Sequence, residues 1–250
     1  MAQYTQYEQA IRLWDTEQVK DLVARRAYYV AGGRRREELN DLWVQDYYNR
    51  LSASYGSNWG FYTGMENIIQ FYVIDEEARL QARLEENAAQ DSSIEVNNLN
   101  LRLGSASHHT VNTGHVQIAA DGQTARAFFY DISLDARRNP EGDSTAYVNM
   151  GPVAVDCIKE NGQWRIWHLF AGYDHCLPVG EDYAAIPVVR PAGTHPYEAE
   201  FGTPTIPMKT YDPDFGWSQE FVTPPKPYRT FEAGRSYGPE GHPRYQEVSL

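Results

Sequence analysis

Apolar positions across residues 6–31 recur at helical spacing: Ile11, Trp14, Val19, Leu22, Val23, Ala27 and Val30. Gly32-Gly33 then supplies a helix stop, and Asp15 is placed to cap a turn. A second helical pattern, Glu37 to about Tyr48, presents Leu39, Leu42, Trp43 and Tyr47. SASYGSNWG reads as a loop, after which Gly64 precedes a third helix from Met65 to about Asn87. The later part of that helix, DEEARLQARLEENAAQ, is so charged that it reads as a solvated face. Ile94 to Leu103 is a candidate short strand. From His109 to His168 the period shortens to two. The runs HTVNTGHVQIAA and TARAFFYDISL flank Asp121-Gly122, and GPVAVDCIKE and QWRIWHLF flank Asn161-Gly162. Both dipeptides favour type I′ hairpin turns, in which both central residues take φ > 0. The pattern predicts helices followed by a four-strand antiparallel meander, an α+β fold.

Beyond Cys176 the character changes. Twelve of the 14 prolines fall there, a density that excludes long helices and central strands. The segment still holds Tyr183, Tyr197, Phe201, Phe215, Trp217, Phe221, Tyr228 and Phe231, which disordered tails lack. Residues 1–175 are therefore expected to form the domain. Residues 176–250 should be an extension packed on it or on a neighbouring subunit.

Charge narrows the partners. A net charge of −12 and a pI near 5.0 oppose nucleic acid or an anionic membrane as a partner. No apolar run approaches the roughly 18 residues of a spanning helix. MAQYTQYEQA lacks a signal-peptide pattern, and two cysteines make no disulfide framework, so a cytoplasmic protein is expected. No metal-ligand spacing, P-loop or GxGxxG after a strand is present, and neither a metal nor another cofactor is expected.

Three helices followed by a bent meander is the order of the cone-shaped superfamily of nuclear transport factor 2, ketosteroid isomerase and scytalone dehydratase. Within it, residues 6–175 resemble the SnoaL-like branch. DTEQVKDLVARRAYYVAGGRRREELNDLW is similar to its paired N-terminal helices, and WGFYTGMENIIQFY to the entry of its third. HTVNTGHVQIAADGQTARAFFY matches its central hairpin and NGQWRIWH its closing strand. The resemblance implies a pocket between helices and sheet, and places the family's most frequent catalytic histidine on His109. It also exposes a departure. Where many dehydratases carry Tyr and Asp on the first helix, this chain has Arg26 and Ala31, so the usual helix-borne carboxylate is missing.

Candidate chemistry follows from residue types. An imidazole has an unperturbed pKa of about 6.5 and can exchange protons near neutrality. His109 is the first candidate. Its neighbour His108 points to the opposite face of a regular strand, as does Asn112 unless a bulge intervenes. Alternation puts Trp164, Ile166 and His168 on one face, with Arg165, Trp167 and Leu169 on the other. His168 is thus a second candidate acid/base or orienting donor. Tyr28 and Tyr55 could donate to a developing oxyanion. Tyr29, Trp43, Tyr47, Trp59, Asn112 and Tyr147 would line an aromatic pocket. Arg26, Arg102 or Arg126 could bind an anionic group.

These readings suggest a cofactor-independent lyase acting on a small phenolic aromatic compound. The longer chain with its proline-rich wrap resembles bacterial lyases that release formaldehyde from lignin-derived diaryl propanediols. A dehydratase or isomerase of a polycyclic or steroid-like substrate would use the same pocket. A non-catalytic ligand-binding or scaffold protein is the third reading, favoured if His109 and His168 lie on opposite sheet faces. A homo-oligomer, dimer or trimer, is expected through outward residues Phe128, Tyr130, Trp167 and Leu169.

Overall fold

The computed structural model describes residues 4–138, 144–173, 175–180, 204–207 and 222–243. Most of the expected extension, 176–250, lies outside them. Helix α1 (Gln6–Ala31) begins at a capping box: the Thr5 hydroxyl accepts from the Glu8 amide, and the Glu8 carboxylate accepts from the Thr5 amide. Val19, Leu22, Val23, Ala27 and Val30 form its buried face. Ile11 and Trp14, expected to join it, are 41% and 65% exposed. The inward position there belongs to Asp15, whose carboxylate accepts from Lys159 Nζ at 3.0 Å and Trp164 Nε1 at 2.8 Å. Asp15 is therefore a buried tie between helix and sheet, not a turn cap.

The second helical pattern divides. Helix α2 (Arg35–Leu42) ends where Trp43 turns extended, and α3 (Tyr47–Ser52) restarts under Asp46, which accepts from the Tyr48 and Asn49 amides. The expected loop SASYGSNWG is instead a hairpin of β1 (Ser54–Ser57) and β2 (Gly60–Thr63). Gly56 makes that hairpin possible, since a β-carbon there would sit 2.3 Å from the Phe61 ring. The third helix runs through α4 (Met65–Ile69), a π-helical stretch (Gln70–Asp75) and α5 (Glu76–Gln90). No strand forms over Ile94–Leu103; the described backbone there turns through a 3-10 helix at Asn98–Asn100.

The meander is β3 (Ser105–Ile118), β4 (Thr124–Arg138), β5 (Ser144–Glu160) and β6 (Gln163–Ala171), each antiparallel to the next. Strand β1 adds in parallel beside β6, β2 follows, and β8 (Ile206–Pro207) ends the row. Strand β7 (His175–Pro178) pairs with β5. Asn161-Gly162 has φ of 50° and 80°, as a type I′ turn requires. At Asp121-Gly122 only Gly122 is positive, at 71°, so that turn is a different one. The Ala120 and Asp121 amides donate to the Tyr228 and Arg229 carbonyls, tying this longer loop to the C-terminal segment.

The sheet has two covered faces. Its concave face packs Ala127, Phe129, Val155, Ile166 and Leu169 against the helices and Trp43, making the main core. Residues from 222–243 lie on the other face, where Val222 and Tyr237 join Phe61, Ala154 and Phe170 in a smaller cluster. This is the cone-shaped α+β fold expected from sequence. A bulge in β6 sets which residues face where: Cys157 pairs with Ile166, but Asp156 pairs with His168. The extra residue, Trp167, reverses the alternation. Ile166 and Leu169 consequently belong to the concave core, and His168 does not join them. Leu169, expected to look outward, is fully buried.

Candidate active site

A cavity enclosing about 980 Å³, including solvent at its mouth, lies between the concave face of β3–β4, the end of α1, and the starts of α2 and α5. His109 stands on its sheet wall. Ser107, His109 and Val111 on β3 pair with Asp135, Ser133 and Asp131 on β4, so all six share one face. From the diagonal position Asp131 reaches His109: its Oδ2 lies 2.6 Å from Nδ1. The carboxylate is an acceptor, so in the neutral imidazole Nδ1 carries the proton donated to it and Nε2 keeps its lone pair. The Ser107 hydroxyl, 3.2 Å away, is the resting partner of Nε2. Asp131 Oδ1 is buried without a hydrogen-bond partner among the described residues. A histidine fixed in this tautomer, with its free nitrogen beside a cavity, can act as a general base.

Tyr55, from β1, also borders the cavity. Behind it stand Phe71 and Tyr72, with ring centroids 5.5 and 5.2 Å away. Burial raises the Tyr55 pKa more than the nearby charges of Arg26 and Arg35 lower it. The phenol therefore stays protonated and can donate. Arg26 is buried at the cavity wall; its Nε lies 3.4 Å from Glu38 Oε1 but makes no hydrogen bond to any described residue. Glu38 is itself sealed, accepting from Trp43 Nε1 at 3.1 Å and from the Tyr72 hydroxyl at 2.7 Å.

The other expected site residues lie elsewhere. His168 is on the opposite sheet face from His109, buried in a separate network. Its Nδ1 is 2.9 Å from Asp156 Oδ2 and its Nε2 3.1 Å from the Ser52 carbonyl. Asp156 also accepts from the Tyr237 amide and lies beside Arg126, so the group pins the C-terminal segment down. Tyr28 is 80% exposed, because Arg26 and Val30 hold the inward positions on that turn. Tyr29 donates to Asp41, away from the cavity. Trp43 is sealed in the core, and Tyr47 is exposed on α3 against Tyr48. Trp59 occupies the β1–β2 turn. Asn112 is exposed because the β3 bulge follows it, between Asn112 and His115, and so leaves it facing away from His109. Tyr147 is half-buried on β5 and does not border the cavity. Arg126 belongs to the Asp156 network and not to the cavity.

Several cavity residues carried no expectation. Asp131 was signalled by the inverted pattern of DISLD, where Asp131, Ser133 and Asp135 alternate with half-exposed Ile132 and Leu134. That strand turns its polar side inward. The charged start of α5 is likewise not a solvated face: Glu76, Arg79, Leu80 and Arg83 border the cavity.

The family of SnoaL-like domains matches residues 12–169 of the chain. No curated protein matches it in sequence. Among solved structures, the chain is similar to hexachlorocyclohexane dehydrochlorinase LinA-type3 from Novosphingobium barchaimii LL02, at 14% identity over 70% of this chain and 97% of that one, with a TM-score of 0.45. It is also similar to a nuclear transport factor 2-like superfamily protein from Salmonella enterica serovar Typhimurium LT2. There the identity is 16% over 67% of this chain and 96% of the other, with a TM-score of 0.43.

Proposed function

The chain belongs to the SnoaL-like domain family, whose members convert small molecules, and from that premise we propose a cofactor-independent lyase acting on a small phenolic aromatic compound. The observation that carries this reading is the His109–Asp131 pair facing one cavity with Tyr55 and Arg26. A phenol bound beside Tyr55 and Arg26 would ionise readily, since a donor and a buried cation both favour the phenolate. His109 would accept that phenolic proton and return it to a benzylic hydroxyl, which leaves as water. The C–O bond breaks, and a quinone methide remains. The neutral His109 would then take the proton of a terminal hydroxyl. The bond to the carbon bearing that hydroxyl breaks, formaldehyde leaves, and the electron pair forms the alkene as the ring returns to phenolate. A diaryl propanediol thereby gives a stilbene, formaldehyde and water, with no net oxidation.

The test is product analysis after incubation with a phenolic diaryl propanediol, with His109→Ala as control. Equal amounts of stilbene and formaldehyde, lost in the variant, would support the lyase. Loss of water alone would move the protein to the dehydratases.

The placement of His168 favours a second reading. With the two histidines on opposite faces, the case for a ligand-binding protein without catalysis is strengthened. Asp131 is what argues against it, because a binding pocket has no need of a histidine held in one tautomer. Absence of turnover with retained binding of the phenol would decide for the binder.

A further inference from the structure

The cavity's charge runs against that of the whole chain. Six arginines border it against three carboxylates, Glu76, Asp131 and Asp135, in a protein of net charge −12. Asp131 is taken up by His109. Asp135 accepts from the Asn149 side chain at 2.6 Å. The carboxylates whose charge reaches Arg102 are Glu76 and Asp135, and at the α2–α5 end Glu76 lies 3.8 Å from Arg35 and is bonded to Arg79. Arg35 Nε is buried without a hydrogen-bond partner among the described residues, and its guanidinium stacks 4.2 Å from the Tyr72 ring centre. Arg102 borders the same end, and its guanidinium makes no hydrogen bond or ion pair with any described residue. Burial lowers its pKa, and the like charge of Arg35 lowers it further. Two adjoining guanidiniums with so little neutralisation are unfavourable until an anion enters.

Arg102 is also deliberately accommodated. A β-carbon at Gly33 would lie 2.4 Å from its Cδ and 2.7 Å from its Nε. Gly33, at φ 66°, both turns the chain after α1 and leaves room for the arginine's stem.

We propose that Arg35 and Arg102 form a carboxylate subsite, so that the small aromatic molecule taken by this cavity carries a carboxylate as well as its reacting centre. A guanidinium fork matches a carboxylate in plane and charge. The proposal rests on the reading of the cavity as the substrate site, but not on which bond is broken there.

The test is equilibrium binding of trans-4-hydroxycinnamate and its methyl ester by calorimetry, with wild type, Arg102→Gln and Arg102→Lys. The acid should bind at least tenfold more tightly than the ester, and the advantage should shrink with added salt. Arg102→Gln should abolish most of it, and Arg102→Lys should keep part. Equal binding of acid and ester, no binding of either, or an unchanged ratio in Arg102→Gln would each overturn the subsite. The wild-type comparison needs no variant to fold. If diols are not turned over while the acid keeps its advantage, the lyase falls and the subsite stands. If they are turned over while acid and ester bind alike, the subsite falls alone.

Discussion

Asp131 and His109 meet diagonally across one ladder, 22 positions apart in the chain and 2.6 Å apart in space. Replacing the carboxylate by an amide keeps the shape and removes the charge, leaving no preference for the tautomer with Nε2 free. Asp131→Asn should therefore lower kcat for a phenolic diol by about 10²-fold or more, with KM little changed. An unchanged kcat would show that His109 works without Asp131. Tyr55→Phe removes one donor from the phenolate position and should cost about 10² in kcat. Steady-state kinetics of formaldehyde release reads both. At this scale His109 was legible because its position is carried by a long, well-matched hairpin. Asp131 was not, because the resemblance places the carboxylate on the first helix, where this chain has none. The carboxylate proposed in its stead, Asp131, comes from a strand whose polar alternation is plain once that strand is known to face inward.

The elements were legible where periodicity was long. The 26 residues of α1 and the four strands of the meander form where their periods predict them, although Ile11 and Trp14 stand outside the buried face and bulges interrupt β3 and β6. Short elements were not: β1 and β2 have four residues each, too few for alternation to show, and they depend on Gly56 yielding space to Phe61. The β6 bulge had no sequence signal, yet it moved His168 from the pocket face to the face covered by the C-terminal segment. That element-level change defines a test. His168→Ala should leave kcat within about twofold of wild type, because the residue does not border the cavity. It should cost about 3 kcal/mol in stability, since Asp156 would lose its partner in a buried network. Denaturant unfolding combined with kinetics separates the two. Limited proteolysis should cut the variant faster within residues 222–243, whose Tyr237 amide also bonds Asp156. A fall in kcat with unchanged stability would instead return His168 to the chemistry.

Across the whole molecule, charge is sorted rather than spread. The net −12 covers the chain, while arginines converge on the cavity, and Glu76 stands among Arg35, Arg79 and Arg102 at one end of it. Burial alone would raise the Glu76 pKa, but Arg35 and Arg79 outweigh it and hold the carboxyl below its ordinary value of 4.5. A carboxyl whose folded pKa is depressed stabilises the fold fully above its unfolded value. That contribution is lost as pH falls through 4.5 toward the lower folded value. Glu76→Gln removes the contribution, so the variant should melt lower at pH 7 and lose less stability than wild type as the solution is acidified below pH 4.5. Thermal melts of both proteins from neutral to acid pH measure this directly. Parallel curves would show that the guanidiniums are neutralised by something other than Glu76. Added carboxylate ligand should raise the melting temperature of the Gln variant at pH 7, because a bound anion supplies the charge that the substitution took away.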